Sequence, residues 1–175
     1  MGQIAETIIP NLRTSIMLGG LLAKDIKPET FARVPMQDGK PVNMNHPAFN
    51  YGHLALYPAR MLSLLGKDTA EAAVPEGWEA LFKAGAECKD DPQGTIYPKM
   101  DAIIAAYNRG YNTVLNALAS VDDEVMLRQN PIEGRLREMC PTVGAAVAFM
   151  AMSHPMMHLG QVSAWRRLFG LGSAM

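Results

Sequence analysis

The sequence predicts an all-α protein: a four-helix bundle with long crossover connections and a short extra helix between the second and third long helices. Three observations carry that reading. Four stretches repeat apolar residues at three-to-four spacing, the period of one helix face. Thirteen methionines accompany only 7% aromatic residues; methionine, leucine and alanine form helices readily, and methionine fills irregular gaps between them. Alternating β-branched runs, the mark of half-buried strands, are nearly absent.

The elements follow in order. The first helix runs from Ile4 to about Lys24, with Ile8, Leu12, Ile16, Leu21 and Leu22 as its apolar face; Pro10 either kinks it or marks its first well-formed turn. Pro28 to Val42 mixes Pro, Asp and Gly and reads as a connection packed over the bundle through Phe31 and Val34. The second helix starts with Asn45 as N-cap and Pro47 in the first turn, where a missing N–H is harmless. Pro58 bends it, and Gly66 ends it as a left-handed cap. Lys67 to Pro98 is the longest interruption, of the kind that packs as a lid or carries function. It holds a short helix around Trp78, Leu81 and Phe82, then a turn-rich stretch in which Asp90 and Asp91 read as solvated. The third long helix spans Lys99 to Ala119 on Ile103, Tyr107, Val114 and Leu118. Asp122 to Pro141 is connective, and the last helix runs from after Thr142 to Leu168 or Phe169, stopped by Gly170. With no internal repeat or linker, residues 1–175 read as one domain.

Composition excludes several classes. A chain of 175 residues buries roughly 70% of its unfolded surface and needs no disulfide staple. A net charge of −1 argues against nucleic acid or an anionic membrane as partner. No apolar run approaches the roughly 20 residues of a membrane span. The first residues lack a basic n-region, and Glu6 stands where a myristoylation signal has serine or threonine. The expectation is a soluble cytoplasmic protein. Cys88 and Cys140 form no CxxC pair and have no histidine neighbour, so neither a zinc knuckle nor a thiol nucleophile is indicated. Phosphate-binding glycine loops, a nucleophile elbow and Ser/His/Asp signatures are missing.

The histidines carry the chemistry. There are four, at 46, 53, 154 and 158. His154 and His158 form H-x-x-x-H, and residues four apart share a helix face. The pair extends the apolar stripe of Val143, Val147, Met150 and Ala151, which continues to Gln161 and Trp165, so it points inward. Two unpartnered imidazoles there would be costly, and a metal removes that cost. His53 lies on the face of Phe49, Leu56 and Arg60 and also points inward. One such histidine alone reads as a hydrogen-bonded core residue; an i, i+4 pair plus a third on another helix reads as a metal site. Three nitrogens with a position left open is the pattern of catalytic zinc sites, and nickel and iron suit imidazole as well. Residues 155 to 157 are Pro-Met-Met, which excludes H-E-x-x-H chemistry. Ligating imidazoles must be neutral, so metal affinity is expected to fall as pH drops through about 6.5.

Around that site His46 reads as a cap or a surface residue rather than a partner of the metal ligands, Gly160 as a place of close helix approach, and Gln161 as a donor to a metal-bound water. Arg60 reads as an anion-binding or a salt-bridged residue, and Arg166 and Arg167 as charges opposing the dipole of their own helix. Tyr51, Tyr57, Tyr97 and Tyr107 are proton donors that the sequence does not rank. Pro155 predicts a disturbed turn next to the site.

The segments HPAFNYGHLALYPARMLSLLG and TVGAAVAFMAMSHPMMHLGQVSAWRRLFGLG resemble the second and fourth helices of the DinB/YfiT-like family of metal-dependent proteins, and YPKMDAIIAAYNRGYNTVLNAL resembles its third. The resemblance implies a divalent metal (zinc, nickel or iron) on His53, His154 and His158. Relatives in the wider superfamily include transferases and isomerases that use a low-molecular-weight thiol, so it also implies such a thiol and a small-molecule substrate. Separately from the resemblance, an apolar helix face left over after the bundle closes would favour a homodimer. The alternative is a non-catalytic, stress-associated bundle whose metal is structural; that reading needs a fourth protein ligand, and the sequence shows none.

Overall fold

The computed structural model describes residues 1–174; Met175, the last residue of the expected domain, lies outside the described residues. Helix α1 (Gln3–Ala23) is followed by a hairpin of β1 (Met36–Gln37) and β2 (Lys40–Pro41), then by α2 (Pro47–Ala55) and α3 (Tyr57–Leu64). A 3-10 turn (Ala70–Ala72) and α4 (Trp78–Phe82) precede α5 (Met100–Leu118). Short α6 (Asp123–Leu127) and α7 (Arg135–Met139) lead to α8 (Val143–Ala148), a π-helical turn (Phe149–Ser153) and α9 (His154–Leu168). Helix α5 packs on α1, α2 and α3, while α9 packs on α1 and α2. Ile103, Tyr107, Val114 and Leu118 are fully buried along α5, as its periodicity predicts. Among the described residues no helix is long and apolar enough to cross a membrane.

The local signals match the elements closely. Pro47 opens α2, and Pro58 divides the expected second helix into α2 and α3 at Leu56. Gly66 takes φ 68°, donating to Ser63 O while Lys67 donates to Leu62 O, the paired bonds of a Schellman end. The hairpin was not expected, although Asp38 and Gly39, both at positive φ, are a tight-turn pair. Helix α1 runs unbroken through Pro10. The connection before the last helix contains α6 and α7.

Four expectations need correction. The α2 N-cap is His46, not Asn45: with Pro47 opening the helix, the residue before it holds the cap, and its Nδ1 accepts the Phe49 N–H at 3.1 Å. Asp91 is buried, accepting N–H bonds from Thr95, Ile96 and Tyr97, whereas Asp90 stays exposed and holds Arg33 and the Val34 N–H. Arg166 is buried and donates to Leu22 O and Lys24 O, so its charge sits at the C-terminal end of α1 rather than opposing its own helix. Gly160 faces open space, with nothing within 4 Å of an added Cβ.

Pro155 has a defined effect. Its ring would collide with the carbonyl of Ala151 in a regular helix. The chain answers with the π-helical turn, and Ser15 of α1 brings its hydroxyl within 3.1 Å of Ala151 O. Tyr111 of α5 approaches Met150 O at 3.5 Å. The disturbed turn is thereby tied to two neighbouring helices directly before His154.

Candidate metal centre

His53 lies in α2, a helix buried along its whole length. Gly52 beside it leaves room for the Phe82 ring: a Cβ there would stand 2.4 Å from that ring. Helix α4 therefore docks closely on α2, and the Phe82 carbonyl comes within 2.6 Å of His53 Nδ1. From the other side, the π-helical turn delivers His154 to the first turn of α9, and His158 follows one turn later. The three rings meet. His154 Nε2 lies 3.1 Å from His53 Nε2 and 3.2 Å from His158 Nε2. The remaining ring nitrogen of His158 lies 2.8 Å from Asn50 Oδ1. His53 and His154 are buried and His158 is half-buried, so the site opens at His158.

This nitrogen cluster fits a cation. A backbone carbonyl only accepts, so His53 Nδ1 carries the proton and its Nε2 presents a bare lone pair to His154. One N–H on His154 Nε2 can serve only one of its two neighbours. Its own Nδ1 is buried without a partner, an arrangement that is costly in a dry site. Nitrogens about 2.0–2.1 Å from a shared ion stand roughly 2.8–3.4 Å apart across angles of 90–110°, and the two observed separations fall in that range. Among the described residues no further histidine, cysteine or carboxylate joins the group.

The surroundings keep the rings neutral. Burial holds the His154 proton affinity down to a pKa of about 3, with His158, His53 and Arg60 adding to the effect. His158 is lowered to about 4 by burial and by His53, and His53 is lowered mainly by burial. Aromatic rings form the walls: Phe49 stacks on His53 at 6.3 Å, and Phe149 lies 5.7 Å from His154. The Tyr57 ring lies 4.2 Å from His154 and 5.1 Å from His53. Of the four tyrosines considered as proton donors, Tyr57 is the one beside the histidines; Tyr51 and Tyr107 hold backbone carbonyls of α1, and Tyr97 packs on His46.

Arg60 stands over the Tyr57 ring at 5.1 Å and pairs with Glu79 at 2.7 Å, so its salt-bridged reading holds. Gln161 makes no hydrogen bond to the three rings, and its Oε1 is buried without a partner. His46 is buried rather than on the surface; besides capping α2 it donates from Nε2 to Lys89 O. A cavity of about 860 Å³ between Phe31, Tyr97, Met100 and Ile104 is lined by none of the three histidines.

Sequence reasoning missed Asn50, Tyr57 as a wall of the site, and the Phe82 carbonyl. Asn50 precedes His53 by three positions, so helical spacing could have placed it on the same face. The carbonyl has no sequence signal at all. A family model described as the DinB superfamily matches residues 21–162, a span that contains all three histidines. No curated protein and no solved structure matches the chain.

Proposed function

The chain belongs to the DinB superfamily, and from that premise we propose that His53, His154 and His158 hold one divalent metal ion at the open edge of a four-helix bundle that forms a single domain over residues 1–175. The observation that supports this most is the convergence of three Nε2 atoms in a buried, carboxylate-free cluster. An all-imidazole set suits zinc, nickel or iron. We read the protein as an enzyme of the cytoplasm, an S-transferase or isomerase that joins a low-molecular-weight thiol to an electrophilic small molecule. A near-neutral net charge suits a small molecule better than nucleic acid as partner.

A divalent ion in a dry pocket favours thiolate or hydroxide at neutral pH. The chain's own residues then have separate tasks. The neutral rings of His53, His154 and His158 point their ε nitrogens at one spot, and Phe49, Tyr57 and Phe149 exclude water from it. Tyr57 offers a hydroxyl at this wall, Arg60 a positive charge at the rim, and Gln161 an unpartnered carboxamide oxygen one turn beyond His158. Hydrolysis by a bound water would want a carboxylate base, and the nearby Glu79 is already paired with Arg60. The burial of His53 and His154 would also suit a structural metal in a non-catalytic bundle, a reading weakened by the want of a fourth protein ligand among the described residues.

Elemental analysis of the purified protein should find one divalent ion per chain, and His158→Ala should lose most of it. Unchanged stoichiometry in that variant would end the ligand assignment. Calorimetric titration with glutathione or cysteine should give heat with the metal-loaded protein and none after metal removal. No heat in either form would favour the structural reading.

A further inference from the structure

We infer that Asn50 is a positioning residue that decides which nitrogen His158 offers to the metal; this rests on the three-histidine reading above. Asn50 is completely buried in α2, one turn before His53. Its carboxamide nitrogen lies 3.2 Å from Asn45 O and 3.3 Å from His46 O. Both of those are backbone carbonyls, which only accept, so the NH2 end of the amide must point at them. The amide therefore cannot be turned round, and its oxygen faces His158 Nδ1 at 2.8 Å. A fixed acceptor there requires the proton on Nδ1. His158 Nε2 is left with its lone pair aimed at the cluster.

Asn50 thus does for His158 what the Phe82 carbonyl does for His53. A hydrogen bond of this kind to the far nitrogen fixes the tautomer and orientation of a ligating ring, and its loss typically weakens metal binding 10- to 100-fold. His46 anchors the device: it caps α2 and ties that end of the helix to Lys89 O, holding in place the two carbonyls that orient Asn50. His154 has no such partner, since its Nδ1 is buried and unpaired. Two of the three rings have assigned tautomers and the third does not.

Two variants separate positioning from mere packing. Asn50→Ala and Asn50→Asp both remove the NH2 donor, so both disturb the Asn45 and His46 links, but only Asn50→Asp keeps an acceptor for His158. Competition titration of each full-length protein with Zn2+ alone should show Asn50→Ala 10- to 100-fold weaker and Asn50→Asp at least as tight as the parent. Equal weakening in both would overturn the proposal. If Asn50→Ala fails to fold, long-range 1H–15N spectra of the metal-free parent decide the matter. The proton of His158 should be on Nδ1, and finding it on Nε2 would overturn the proposal. A parent protein that carries this Nδ1 proton yet binds no Zn2+ would instead refute the metal reading and leave the tautomer assignment standing.

Discussion

Three imidazoles held neutral by burial and by one another respond to acid differently from histidines in water. The unfolded chain takes up protons as pH falls through about 6.5, while the folded chain, with His158 near 4 and His154 near 3, does not. Protons then favour the unfolded state, and stability present above pH 6.5 is lost as pH falls towards the folded values. The slope reaches up to about 1.4 kcal/mol per pH unit for each histidine. Metal-stripped protein should therefore melt at a clearly lower temperature at pH 5 than at pH 7; an unchanged melting temperature would contradict the buried, neutral assignment. The same values revise the expectation that metal affinity falls through pH 6.5. In the folded protein, proton competition for these nitrogens begins closer to their lowered range.

At the scale of elements, the site depends on how α1 supports the last helix. Ser15 holds the Ala151 carbonyl that Pro155 displaces, and both groups are buried. Removing the hydroxyl in Ser15→Ala leaves that carbonyl without this partner, which typically costs about 1–3 kcal/mol. Denaturant unfolding should show this loss with an unchanged m-value, and stability equal to the parent would mean that the π-helical turn needs no such support. These elements also show what the sequence could reveal. Helical periods, the proline and glycine punctuation and the i, i+4 histidine pair are local, and the structure places them close to where they were read. The failures were long-range. Asp123 caps α1 from the start of α6 by accepting the Gln3 and Ile4 N–H groups, Arg166 reaches the end of α1, and Phe82 O reaches His53. Each such partner lies 29 or more positions away along the chain, beyond any spacing rule. Asp91 was misread for a related reason: a short acidic run looks solvated until the packed turn that encloses it is known.

For the whole molecule, the central feature is that α2 and α9, about a hundred residues apart in sequence, cross where their histidines meet. Helix α5 supplies the buried surface against which α1, α2 and α3 pack, and α4 closes the side of His53 through its last carbonyl. Access is left at His158. The most direct measurement is a crystal structure of the zinc-loaded protein with anomalous data on both sides of the zinc edge. A single anomalous peak about 2.0–2.1 Å from the Nε2 atoms of His53, His154 and His158 is the predicted result. Rings turned away from one another, or a peak bound elsewhere on the chain, would contradict it.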